Sequence, residues 1–197
     1  MKNGIDVSYA QGRIDWNKVK TDFVYIKCNE GINFKDKMVN DNAVGAHLAK
    51  IPFGFYHFVT LNKVDVIADA CTEAADFCNN LDMLPGYHPD LIPVLDIEQE
   101  NKLNISPANI ELWINTFANE MKKRGHKLML YSYTPYLNAN LPKEHSLGIL
   151  PLWIAQYTKN AEPVLPFGWH DYKMWQYSNE GKIDGINTNV DLNKSKL

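Results

Sequence analysis

The run Leu91-Ile92-Pro93-Val94-Leu95-Asp96-Ile97-Glu98 constrains this chain more than any other stretch. An apolar segment of that length, entered through Pro and left into polar residues, reads as a buried strand of the kind found in parallel sheets. It ends in two carboxylates. Because strand side chains alternate between faces, Asp96 and Glu98 project to one side with Cα atoms roughly 6.5–7 Å apart. Mutual repulsion and partial burial then keep one proton on the pair near neutral pH. A general acid beside an anionic stabiliser is what cleavage of a glycosidic bond needs. The alternative is a strand that simply runs out into solvent, where acids are common.

The rest of the chain supplies the frame for that strand. Gly4 to Val7 is a short strand, Phe23 to Lys27 a second, and Ile51 to Val59 a third in which Gly54 suits a close backbone approach. Ile14 to Val19 offers one helical turn, and Asn40 to Lys50 supports a helix. Val64, Ile67, Ala68, Cys71, Ala74, Ala75 and Cys78 form a 3.6-residue stripe, which predicts a helix laid on the sheet. The next helix is punctuated by Ser106 as cap, Pro107 in its first turn and Gly125 after its end, with a stripe of Ile110, Trp113, Ile114, Phe117, Ala118 and Met121. Lys127 to Ser132 is the fifth strand. Strand and helix alternate at least four times, so the strands are parallel. Beyond Ser132, Leu152 to Tyr157 and Met174 to Tyr177 read as strands, but Pro-, Gly- and Asn-rich segments replace amphipathic helices. A complete eightfold barrel needs about 250 residues. The expected fold is therefore α/β, an irregular TIM-like barrel of about five β/α units followed by three strands with short or missing helices, in a single domain over residues 1–197.

Charge and composition narrow the partners. A net charge of −3 and a pI near 6.1 exclude nucleic acid as the expected partner. The basic run Lys122-Lys123-Arg124 falls at a helix end, where it complements the macrodipole. No stretch approaches the ~18 apolar residues of a membrane span, so no membrane insertion is expected. The N-terminal residues carry no apolar signal region, which leaves a cytosolic protein or one whose signal has been trimmed. Cys71 and Cys78 sit seven apart on one helix, roughly 10 Å along its axis, too far for a disulfide. With Cys28 they read as reduced core residues, and nothing argues for more than a monomer.

Chemistry in parallel sheets collects at the C-terminal strand ends. Here those ends hold Asp6, Lys27 with Glu30, Tyr56 with His57, Asp96 with Glu98, and Tyr131. The sequence has no His-Glu-x-x-His, no phosphate loop, no Gly-x-Gly-x-x-Gly and no Gly-x-Ser-x-Gly, so no cofactor is expected. A carboxylate-held metal stays open as an alternative. His57 follows Tyr56, points to the opposite face, and reads as a hydrogen-bonded structural residue rather than a base.

Several blocks carry a resemblance. Gly4-Ile5-Asp6-Val7-Ser8, Tyr25-Ile26-Lys27 with Glu30-Gly31, and Gly54-Phe55-Tyr56-His57-Phe58 come first. Pro93 to Glu98, Leu152 to Tyr157, Trp175 to Ser178 and Val190 to Asn193 follow. In that order and over essentially the full chain, the set resembles the family 25 glycoside hydrolases, N-acetylmuramidases that include many phage endolysins. The resemblance implies hydrolysis of the β-1,4 bond between N-acetylmuramic acid and N-acetylglucosamine in peptidoglycan strands. It maps the family's general acid onto Glu98 and its supporting aspartates onto Asp6, Asp96 and Asp191. Pocket residues map onto Lys27, Glu30, Tyr56, Tyr131, Trp153 and Gln176. It also implies release to the wall in the manner of an endolysin, or secretion. The competing readings are a hydrolase of another N-acetylhexosamine polymer such as chitin, and a non-catalytic barrel that binds wall sugars.

Overall fold

A computed structural model describes residues 1–62, 64–82 and 88–196. In chain order its elements are β1 (Lys2–Val7), β2 (Phe23–Glu30), β3 (Phe34–Lys35), α1 (Val39–Leu48), β4 (Phe53–Phe58), α2 (Val66–Asp82) and β5 (Val94–Asp96). They continue with α3 (Pro107–Lys123), β6 (Met129–Tyr133), α4 (Thr134–Asn140), β7 (Leu152–Ala155), β8 (Met174–Gly181) and β9 (Val190–Ser195). Among the described residues, eight strands close in the order β1-β9-β8-β7-β6-β5-β4-β2, with β2 returning to β1. β9 runs antiparallel to both β8 and β1, and the other contacts around the barrel are parallel. β3 is a two-residue arm folded back on the end of β2.

The expected irregular barrel is present. Helices α1 to α4 cover the crossovers up to β7, while β1 reaches β2 through turns and the last strands return without α-helices. Helix α3 begins and ends where its punctuation places it. Ser106 Oγ accepts from Asn109 N at 3.3 Å, and Gly125 turns into the left-handed region at φ 85°.

Helix α2 forms as expected but presents a different face. Val64 and Ile67 are exposed and Cys71 is half-buried, whereas Asp69, Ala70, Glu73, Ala74, Phe77, Cys78 and Leu81 are buried. Two acids turn inward because the wall behind them offers partners: Trp113 Nε1 donates to Asp69 at 2.7 Å, and His57 Nε2 lies 2.6 Å from Glu73. A stripe of apolar letters cannot register a helix face held by buried hydrogen bonds. Cys71 is correspondingly not the core residue expected.

Two apolar layers result. Outward-facing strand residues such as Ile5, Val24, Phe55, Leu95 and Ile154 pack under the helices, in one cluster with Phe77, Trp113 and Phe117. Inward, Phe23, Tyr25, Val94, Met129, Tyr131, Trp153 and Met174 fill the barrel. Room for those rings comes from glycine. A Cβ on Gly4 would lie 2.2 Å from the Phe23 ring, and one on Gly54 would lie 2.6 Å from the Tyr25 ring and 2.8 Å from Leu91 Cβ. The aromatic plug closes the lower barrel and leaves only its upper mouth for chemistry.

Gly54→Ala tests that packing. Tyr25 is fully buried against Trp153, with ring centroids 5.0 Å apart, and cannot retreat. Overpacking of this kind costs about 1–3 kcal/mol. Thermal unfolding followed by circular dichroism is expected to show Tm lowered by several degrees with the two-state shape preserved.

Candidate active site

The sequence-predicted residues gather at the C-terminal mouth of the barrel, most of them by strand alternation. Asp6, Lys27, Tyr56, Asp96, Glu98, Tyr131, Trp153, Gln176 and Asp191 line a cavity of about 210 Å³. Glu30 stands beside it and accepts a 2.6 Å ion pair from Lys27 Nζ. Strand β5 is shorter than expected and ends at Asp96. Glu98 therefore leaves the ladder and stands at the mouth, half-buried, while Asp96 lies deeper and buried. Ile97 between them is pinned outward, its carbonyl accepting from Ser132 Oγ at 2.6 Å and its N–H donating to Tyr131 O at 3.1 Å.

Asp6 is the most elaborately held of the acids. Its Oδ2 accepts from Asn193 Nδ2 at 2.7 Å and from Gln176 Nε2 at 3.0 Å. Both amides are oriented from behind. Trp153 Nε1 donates to Asn193 Oδ1 at 2.9 Å, and the hydroxyls of Tyr131 and Tyr157 donate to Gln176 Oε1 at 3.0 and 2.8 Å. Asp191 faces Asp6 directly across the β1–β9 pair and shares a hydrogen bond with it.

Burial dominates the electrostatics. Desolvation is the first cause raising Asp96 well above the carboxylate range, followed by the charges of Glu98 and Asp6, with Lys27 opposing. Glu98 is raised by burial and by Asp6, against the polarity of the nearby Tyr131 hydroxyl, 3.5 Å away, and the charge of Lys27. Asp6 is raised by burial despite the amides that favour its anion. Burial and the neighbouring Asp6 lift Asp191 to about 8. Burial thus raises the proton affinity of all four acids, and desolvation does more than mutual repulsion.

Three residues escaped the sequence reading. Phe58 and Tyr157 line the cavity, and Asn193 completes the cradle of Asp6. Phe58 continues the alternation Gly54, Tyr56, Phe58 and was legible; the ring lies 4.6 Å from Lys27 Nζ. Asn193, two residues after Asp191 on the same strand, carried the same signal. Tyr157 lies beyond the end of β7, where alternation no longer speaks. A more apolar hollow of about 390 Å³ adjoins the cavity, shares Glu98, Tyr131 and Tyr157 with it, and is walled by Tyr133 and Pro135.

Similarity to known proteins spans most of the chain. The model of the family described as Glycosyl hydrolases family 25 matches residues 5–186. Lysozyme M1 of Streptomyces globisporus is 32% identical over 97% of this chain, and the autolytic lysozyme of Clostridium acetobutylicum is 31% identical over 97%. The chain spans 66% and 55% of the length of those two relatives. Among solved structures, the bacterial lysozyme from Streptomyces coelicolor superposes with a TM-score of 0.85 at 31% identity, over 100% of this chain and 92% of that one. The spore cortex lytic enzyme SleM of Clostridium perfringens superposes with a TM-score of 0.89 at 28% identity, over 98% of this chain and 67% of that one.

The raised carboxyls have a thermodynamic sign. Each binds its proton more tightly in the folded state, so its stabilising contribution is full below the unfolded pKa of about 4 and is lost as pH rises through the folded value. Tm is expected to fall as pH rises from 4 to 8. Asp191→Asn, which removes the group that titrates near 8, is expected to flatten the upper part of that slope in a thermal-melt series.

Proposed function

The chain belongs to glycosyl hydrolase family 25, and we propose that it is a muramidase that hydrolyses the β-1,4 bond between N-acetylmuramic acid and N-acetylglucosamine in peptidoglycan. One observation carries the reading. Asp96 and Glu98 enter a single polar cavity floored by Trp153 and Tyr131, the first carboxyl deep and the second at the mouth. Tyr157 adds an exposed aromatic ring at the rim of the kind that stacks on sugar rings, and two acids of unequal exposure can divide the proton work.

Glu98 is the general acid in this reading. Burial raises its proton affinity above that of a free carboxyl, and its position at the mouth gives it access to the glycosidic oxygen. As that proton leaves, the carboxylate left behind offsets positive charge growing at the anomeric carbon. Asp96 lies on the same side of the chain as Glu98, so the two do not flank the bond from opposite faces. That placement favours a role in orienting the substrate's own 2-acetamido group, whose carbonyl oxygen attacks the anomeric carbon, over direct attack by Asp96. Water activated by Glu98 then opens the cyclic intermediate, and the anomeric configuration is retained. Asp6 and Asp191 form the inner wall of the mouth, and Lys27 favours the ionised forms of Asp96 and Glu98.

Mass spectrometry of fragments released from purified peptidoglycan tests the assignment. Reducing N-acetylmuramic acid ends are expected, with retained configuration in the first product seen by proton NMR. Reducing N-acetylglucosamine ends would reverse the bond specificity, and wall binding without fragments would leave a sugar-binding barrel. Glu98→Gln is expected to lower turnover by about 10²–10⁴-fold while the protein stays folded and unfolds in one cooperative transition.

A further inference from the structure

The wall of the barrel behind Lys27 contains a buried polar chain with no part in the chemistry above. Strand β2 pairs with β4 through Lys27↔Tyr56 and then Asn29↔His57, so two residues of β2 stand against one of β4 at Cys28. The bulge changes which side chains face the cavity. Without it, alternation would send Lys27 and Asn29 inward and Glu30 outward. With it, Cys28 and Asn29 both face out, and Lys27 and Glu30 meet at 2.6 Å beside the acids.

Asn29 is fully buried on the outer side, where every polar atom needs a partner. Its Nδ2 donates to Asp76 Oδ2 at 2.9 Å, which turns its Oδ1 toward His57 Nδ1 at 3.0 Å. Nδ1 must then be the donor, so a neutral His57 accepts through Nε2, and the proton in the 2.6 Å contact with Glu73 belongs to Glu73. Burial agrees on both sides, pushing His57 down to about 3 and Glu73 up to about 9. The His57 ring packs against Phe77 and Phe117, each with its centroid 5.4 Å away.

We propose that Asn29, His57 and Glu73 are positioning residues that lock the bulge at Cys28 and thereby hold Lys27 and Glu30 together at the cavity. These hydrogen bonds exist only in the bulged register, because in the regular one Asn29 would leave His57 for the barrel interior. The consequence is electrostatic. Lys27 lowers the proton affinity of Asp96 and Glu98, and it pairs with Glu30 beside a cavity that Asp6 and Asp191 also line. Behind the wall, His57 faces Glu73, which in turn feels the charges of Asp69 and Asp76. Loosening the lock therefore lets Lys27 drift and moves the acids' transitions to higher pH. The inference rests on the cavity being the catalytic site of the muramidase proposed above.

Carboxyl ¹³C NMR titration and the pH profile of kcat/KM on peptidoglycan together test it. Lys27→Met gives the full upward shift of the Asp96 and Glu98 transitions. Asn29→Ala is expected to shift them upward by about 0.5–1 pH unit. Asp76→Ala, a milder change on the half-buried face of α2, is expected to shift them the same way by less. Ile110→Val in the α3 core, which lowers stability without touching the chain, is expected to shift nothing. Wild-type transitions in folded Asn29→Ala and Asp76→Ala overturn the proposal, and if Asn29→Ala does not fold, Asp76→Ala alone decides. A wild type that releases no fragments while the variants still shift the carboxyls overturns the muramidase reading and leaves the positioning role standing. An active wild type with unmoved transitions in the variants does the reverse.

Discussion

Closure of the sheet by β9 is the constraint on which the rest depends. Parallel strands leave their two outer edges unpaired, and here a single antiparallel strand seals the gap between β8 and β1. The seal has a chemical result. Asp6 and Asp191 become direct neighbours, and Asn193, one inward step along β9, reaches Asp6 at 2.7 Å. A carboxylate at the end of the first strand is thus held by amides from β8 and β9, each steadied by an aromatic donor from β6, β7 or the segment after β7.

The mouth is a compromise between desolvation and charge. Taking four carboxyl groups out of water is costly unless they keep protons, and burial here raises all four. Lys27 is the counterweight near them. A more exposed cluster would ionise fully and lose its acid, and a sealed one would lose its anion. The graded burial from Asp96 to Glu98 keeps both forms in reach.

Much of this was legible in the residues because two short-range rules operate with little interference. The gathering of chemistry at strand ends singled out Asp6, Lys27, Tyr56, Asp96 and Tyr131, the family resemblance added Trp153, Gln176 and Asp191, and cap chemistry bounded α3. The failures arose where a contact between distant segments overrides the local rule. The buried face of α2 follows Asp69 and Glu73 to partners on α3 and β4, against the apolar count. The bulge at Cys28 depends on Asp76, 47 positions beyond Asn29. Arm β3 has only two residues, too few for a periodicity to appear.

The closing strand also fixes an order of events. β1 precedes the other barrel strands along the chain, yet it acquires its second neighbour only when residues 190–195 are available. Until then its edge is open, Asp6 lacks Asn193 and Asp191, and the inner wall of the mouth is missing. The longest-range pairing in the sheet, Lys2 with Ser195, belongs to this last step. Nascent chains therefore carry every other part of the barrel before they carry an assembled mouth, and competence arrives abruptly, with the final strand, rather than growing along the ribosome.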